Sequence, residues 1–129
     1  MIVEALKSKI HRACVTDADI NYVGSVSIDK DLMEAANLIQ YEKVQVLNIT
    51  NGSRLTTYVI ESNKNCGEIC INGAAAHLVN PGDLVIIVSY CNIKHTELKN
   101  HKPKIVHVNK KNEIIEVASQ VIVNNKNIF

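Results

Sequence analysis

Val44-Gln45-Val46-Leu47-Asn48-Ile49-Thr50-Asn51-Gly52-Ser53-Arg54-Leu55-Thr56-Thr57-Tyr58-Val59 decides the fold class. Val44, Val46 and then Ile49 lead into Asn51-Gly52-Ser53, beyond which Leu55, Thr57 and Val59 alternate with Arg54, Thr56 and Tyr58. Successive strand side chains point to opposite faces, and Asn-Gly accepts the positive φ of a tight reversal, so the pattern predicts a β-hairpin. Outward from it, β-branched segments recur between turn signals. Leu84 to Tyr90 reads as a buried strand, and Lys104 to Val108 and Glu113 to Val123 as two more, joined across Asn109-Lys110-Lys111-Asn112. Only two stretches read as helix. Lys30 to about Ile39 carries Leu32, Ala35, Ala36 and Ile39 at i, i+3, i+4 and i+7 behind Asp29 as cap. A shorter turn of helix starts at Asn72 as cap, passes through the alanines to His77, and stops at Pro81-Gly82. The polar run from Asn92 to Pro103 suits an exposed connection, and the tail Asn124-Asn125-Lys126-Asn127 a solvated end. Many short strands with two brief helices favour a closed or nearly closed barrel, since closure removes exposed edges.

The 129 residues suit one domain with a real core. Hydrophobic residues make up 47% against 21% charged, a globular composition. Lysine plus arginine (14) nearly balances aspartate plus glutamate (13), so no net field gathers phosphate backbones or anionic lipid, and nucleic acid is not an expected partner. The start Met1-Ile2-Val3-Glu4-Ala5-Leu6-Lys7 lacks an apolar core behind a basic head, and no apolar run approaches the ~18 residues of a membrane helix, so a cytoplasmic location without membrane attachment is expected. Cys14, Cys66, Cys70 and Cys91 then read as free thiols. Cys66 and Cys70 with five histidines form no repeated tight pair of the sort structural zinc requires, which argues against a metal.

The candidate chemistry lies at Gly24-Ser25. A serine hydroxyl can add to the carbonyl of the preceding glycine when the backbone is held in an unusual conformation, and glycine removes the side chain that would stand in the way. The amide becomes an ester. Loss of the serine α-proton expels the glycine carboxylate and leaves dehydroalanine, which water converts, with loss of ammonia, into a pyruvoyl group. Gly-Ser is also a common turn pair, and such a turn in a non-catalytic small β-barrel binding module is the alternative. Arg54 offers a planar fork suited to a carboxylate, Thr57 a hydroxyl and Tyr58 a phenol able to deliver a proton. The same three residues also suit an ordinary strand. Strict alternation sets Arg54 and Tyr58 on one face and Thr57 on the other, so a common site needs a bulge or a twisted strand. Asn72-Gly73-Ala74-Ala75-Ala76 lets backbone amides approach an anionic ligand, or packs a helix closely.

Lys9-Ile10-His11-Arg12, Val15-Thr16-Asp17-Ala18-Asp19, Tyr22-Val23-Gly24-Ser25, Asn48 to Gly52, Arg54 with Thr57-Tyr58, Asn72 to His77 and Pro81-Gly82-Asp83 together resemble the bacterial aspartate 1-decarboxylase family. The likeness runs in one register from Met1 to about Tyr90. It implies a double-psi β-barrel, a homotetramer with sites between subunits, and pyruvoyl-dependent conversion of L-aspartate into β-alanine for pantothenate. It further implies self-cleavage of one domain, 1–129, between Gly24 and Ser25 into chains 1–24 and 25–129. The cofactor would be the pyruvoyl group made covalently from Ser25, with neither metal nor pyridoxal phosphate. Tyr58 would be the proton donor, Thr57 a substrate contact that assists processing, Gly73, Ala74 and Ala75 the pocket lining, and Arg54 with Lys9 the carboxylate-binding pair. A maturation factor and a different amino-acid substrate are left open. The chain departs from many relatives at Asn21, often histidine, and Val26, often cysteine; neither position supplies cofactor or proton donor.

Overall fold

The computed structural model describes residues 1–120. Nine strands, one α-helix and two 3-10 turns follow the order β1 (Ile2–Cys14), β2 (Asp17–Asp19), β3 (Ser25–Asp29), α1 (Lys30–Ala35), β4 (Lys43–Asn48), β5 (Arg54–Ser62), β6 (Ile69–Asn72), a 3-10 turn (Gly73–Leu78), β7 (Leu84–Lys94), a second 3-10 turn (His95–Asn100), β8 (Lys104–Val108) and β9 (Ile114–Ala118). All strands join one mixed sheet in the order β2-β6-β3-β5-β4-β7-β1-β8-β9.

That order forces closure. β2 lies at one edge of the sheet and β1 near the other, yet only Val15 and Thr16 separate them in the chain. Thr16 N–H donates to Ile69 O at 2.8 Å and Val15 N–H to Asp83 O at 2.9 Å, so the seam is hydrogen-bonded and the sheet is rolled into a barrel. The long β1 bends through irregularities between Leu6 and Ser8 and between Ile10 and Ala13, the second containing Arg12 at φ 63°. Ile10, Val26, Ile28, Val44, Val46, Val59, Ile69, Ile71, Val85 and Ile87 fill the interior, and Leu32 and Met33 of α1 pack against them.

The hairpin forms as its alternation requires, with β4 and β5 antiparallel from Lys43 opposite Tyr58 to Leu47 opposite Arg54 and no break in register. Its loop is longer than a two-residue reversal: Asn48 N–H reaches Ser53 O, and Gly52 carries φ +80°. Asp29 caps α1 as expected, accepting from Asp31 N–H at 2.8 Å. The helix nevertheless stops at Ala35, short of Ile39. Asn37 turns left-handed at φ 57°, its N–H reaches Glu34 O and Leu38 N–H reaches Met33 O, a Schellman closure that buries Leu38 and leaves Ile39 exposed.

The expected exposed connection from Asn92 to Pro103 is also shorter. β7 continues through Asn92, Ile93 and Lys94 because they pair with Glu4, Val3 and Ile2, and His95–Asn100 is a 3-10 turn. Lys104–Val108 is the expected strand. Its antiparallel partner covers only Ile114–Ala118 of the anticipated Glu113 to Val123, whose end lies outside the described residues, as does the Asn124–Asn127 tail.

Candidate active site

Three adjacent strands assemble the site around Ser25. On one side β3 pairs antiparallel with β6, placing Ser25 opposite Asn72 and Ser27 opposite Cys70. On the other it runs parallel to β5 with Val26 beside Val59, so the same register one residue earlier sets Ser25 beside Tyr58. Val26 and Val59 both point into the core, which turns Ser25 and Tyr58 together to the outer face of the barrel.

Ser25 is 2% exposed although it follows an exposed loop in which Tyr22 and Val23 are 61% and 76% exposed. Its Oγ accepts from Asn72 Nδ2 at 2.9 Å and makes a longer contact, 3.5 Å, to Val23 O. Asn72 was expected to cap the following helical turn with its side chain. It does not: no side-chain cap bond forms there, and the amide is spent on Ser25 Oγ, on Ser27 Oγ at 3.1 Å and on the Cys70 thiol, which donates to Oδ1 at 3.2 Å. Asn72 thus keeps the cap position but not the expected side-chain capping role, because two of its three partners come from a strand 45 and 47 residues away.

The requirement for glycine falls on Gly73 rather than Gly24. A Cβ at Gly24 would meet only Asn72 O, at an ordinary 3.9 Å. A Cβ at Gly73, by contrast, would lie 2.6 Å from Gly24 Cα, 2.8 Å from Gly24 N and 3.1 Å from Tyr22 O, and Gly73 has φ +72°. The N-terminal side of Gly24, one residue ahead of Ser25, is therefore packed directly on Gly73. The 3-10 turn that follows is anchored to the hairpin loop, since Leu78 O accepts from Asn48 Nδ2, Asn51 Nδ2 and Ser53 Oγ. Within this turn Ala74 is exposed and Ala75 packs partly on the core.

Arg54, Thr56 and Tyr58 share the outer face of β5, while Thr57 sits opposite buried Val44 on the other face. No bulge relieves this separation. Arg54 lies four residues from Tyr58, about 13 Å along an extended strand. Lys9 is on β1, level with Val88, Gln45 and Thr56 and three strand spacings, about 14 Å, from β5. The chain therefore gathers Gly24, Ser25, Tyr58, Asn72 and Gly73, and leaves Arg54 and Lys9 at a distance.

Burial lowers the Lys9 pKa. It also lowers that of neighbouring His11 to about 4, with the charges of Lys9, His107 and Arg12 adding to the effect. The His11 and His107 rings meet edge to face at 5.4 Å. Among the described residues no group of three or more His, Cys, Asp and Glu side chains is placed to hold a metal, and no helix is long and apolar enough to cross a membrane. A cleft of about 470 Å³ opens between the α1 start and the β8–β9 turn, but its buried polar groups are already committed. Asp29 accepts from Asn65 and Gly67 N–H, and Asn112 bonds both Cys14 backbone groups and Gly67 O.

Fold and site together define a small barrel enzyme built around a buried, amide-tethered serine that directly follows a glycine. Comparison with known proteins makes this specific: the family described as aspartate decarboxylase matches residues 1–115. The aspartate 1-decarboxylase of Caldicellulosiruptor saccharolyticus is 55% identical over 93% of this chain and 94% of its own length. The proteins of that name from Campylobacter fetus subsp. fetus and Corynebacterium efficiens are 60% and 56% identical, over 90% and 92% of this chain and 100% and 88% of theirs. The chain belongs to the aspartate decarboxylase family.

Proposed function

We propose that the chain decarboxylates L-aspartate to β-alanine and carbon dioxide for pantothenate synthesis in the cytoplasm, after cutting itself between Gly24 and Ser25 into chains 1–24 and 25–129. The observation that carries this reading is the buried Ser25 Oγ, held by Asn72 Nδ2 at 2.9 Å next to a glycine peptide packed on Gly73. Ser25 Oγ adds to the Gly24 carbonyl carbon and the Ser25 nitrogen leaves it, giving an ester. Loss of the Ser25 α-proton then expels the Gly24 carboxylate, and water replaces the nitrogen, which departs as ammonia.

The residues present fit a pyruvoyl group at position 25, because it is formed in place from a serine already enclosed and already hydrogen-bonded. Such a group supplies a carbonyl able to take up the electron pair left by departing carbon dioxide. Everything else falls to the chain. Arg54, with Lys9, holds the side-chain carboxylate of aspartate, and a two-point Arg54 clamp decides which carboxylate is left free to depart. Tyr58 donates its phenolic proton to the α-carbon. Gly73, Ala74 and Ala75 present backbone without bulky side chains, and Thr57, next to Tyr58 in β5, supports processing from the other face of that strand.

The ~13 Å along β5 between Arg54 and Tyr58 is long for a substrate as small as aspartate and favours an Arg54 supplied by another chain. Arg54 and Lys9 of a neighbouring copy complete the site, which supports a homotetramer with sites between subunits. Ile20, Tyr22, Val23 and Tyr41, all more than half exposed around the cleavage loop and β4, provide apolar surface for that contact. A maturation factor acting on the same loop is compatible with this arrangement.

Ser25→Ala tests the reading: the variant should remain one chain of 129 residues and release no carbon dioxide from L-aspartate. Residual decarboxylation would remove Ser25 from the reaction. A panel of amino acids lacking the second carboxylate should be refused, and their turnover at comparable rates would remove the clamp.

A further inference from the structure

Four polar side chains, Ser25 and Ser27 of β3 and Cys70 and Asn72 of β6, lie on the face of the ladder turned away from Val26, Ile28, Ile69 and Ile71. Asn72 joins the other three: Nδ2 donates to both serine hydroxyls and Oδ1 accepts from the Cys70 thiol. A primary amide turned through half a circle keeps its shape, and serine hydroxyls, able to donate or accept, tolerate either orientation. The thiol does not. It offers a hydrogen and is a poor acceptor, so it selects the orientation with Oδ1 on Cys70 and Nδ2 on the serines. Only in that orientation is one lone pair of Ser25 Oγ occupied by the amide while the hydroxyl hydrogen is left to Val23 O, at 3.5 Å. The reversed amide would take the Ser25 hydrogen for itself.

We propose that Cys70 is a positioning residue for the scission before Ser25, acting through the Asn72 amide whose orientation its thiol fixes. The inference rests on the self-cleavage reading given above. Burial, with Asp17, Glu68 and Asp19 adding to it, pushes the thiol pKa up to about 11, so Cys70 stays a donor throughout the physiological range. Cys70 is 7% exposed and is one of four free thiols; it serves as part of a hydrogen-bonded relay rather than as a nucleophile.

The test follows the fraction of cleaved chain against time by intact mass, beside the thermal midpoint of the uncleaved material. Cys70→Ala should slow cleavage about three- to tenfold, the factor carried by one neutral hydrogen bond. Cys70→Ser, which restores a donor, should cleave within about twofold of wild type, whereas a purely packing role predicts no such rescue. Cys70→Val fills the space without a donor and should behave as Cys70→Ala. In an Asn72→Ala background the Cys70→Ala change should add nothing, because the relay is already cut. Wild-type cleavage rates in Cys70→Ala, a Cys70→Ser chain as slow as Cys70→Ala, or additive effects in the double variant would each overturn the role of Cys70 and leave self-cleavage standing. Wild-type chain that stays intact under the same conditions would instead remove the scission itself, and the positioning role with it.

Discussion

Gly73→Ala probes the contact on which the cleavage segment rests. Two penalties apply. Alanine at φ +72° costs about 1–2 kcal/mol of backbone strain. Its Cβ, 2.6 Å from Gly24 Cα and 2.8 Å from Gly24 N, must push backbone aside, an overpacking that costs a further ~1–3 kcal/mol. The neighbour that gives is the loop carrying Gly24, because Gly73 is held through Asn72 and β6 while Tyr22 and Val23 are exposed. Gly82→Ala is the control: it shares a positive φ, +92°, but nothing lies within 4 Å of its Cβ, so it carries the backbone penalty alone. At about 3–5 °C per kcal/mol for a domain of this size, Gly82→Ala should lower the melting temperature by roughly 3–10 °C and Gly73→Ala by roughly 6–25 °C. Only Gly73→Ala should also slow scission, by more than about tenfold, since moving a near-attack geometry by an ångström carries penalties of that size or larger. Melting by circular dichroism and intact-mass time courses measure both. If Gly73→Ala melts no lower than Gly82→Ala and cleaves at the wild-type rate, the packing of Gly24 on Gly73 does not shape the reaction.

Tyr58→Phe should leave cleavage intact and reduce kcat by about 10²–10⁴, measured as carbon dioxide release; near-normal turnover would move the proton donor elsewhere. Arg54→Lys should raise KM for L-aspartate on the order of tenfold, because a point charge cannot reproduce a two-point fork, and isothermal titration with an unreactive dicarboxylate would show the same loss. His11 is held neutral in the folded chain, with its pKa lowered from 6.5 to about 4, so the unfolded chain binds a proton that the folded one refuses between those values. Its contribution to stability is therefore complete above about pH 6.5 and lost as the pH falls toward 4. His11→Gln should flatten the melting profile across that window, and an unchanged slope would assign it to other groups.

Features set by near neighbours could be read directly from the residues. Asp29 as a cap, the alternation on either side of Asn51-Gly52, and the strand Lys104–Val108 all depend on a few adjacent positions. The end of α1 is masked in the sequence because Ile39 continues the helical spacing, although Asn37, a residue tolerant of positive φ, carries the stop signal two positions earlier. β7 extends over polar Asn92 and Lys94 because backbone pairing with Glu4 and Ile2 is indifferent to side-chain type. At the site, the parallel pairing of β3 with β5 brings Ser25 and Tyr58 onto neighbouring strands. The Asn72 contacts were out of reach, since they depend on which strand lies beside β3, a question of strand order that periodicity leaves open. The separation of Arg54 from Ser25 follows from an unbroken β5 register.

The mass of the protein isolated from cells that make it bears most directly on self-cleavage at Ser25. Two species covering residues 1–24 and 25–129, the larger lighter by one ammonia than hydrolysis would leave it, are the predicted result. An unbroken chain of 129 residues in material that turns over aspartate, or a 25–129 fragment retaining its serine amine, would contradict it.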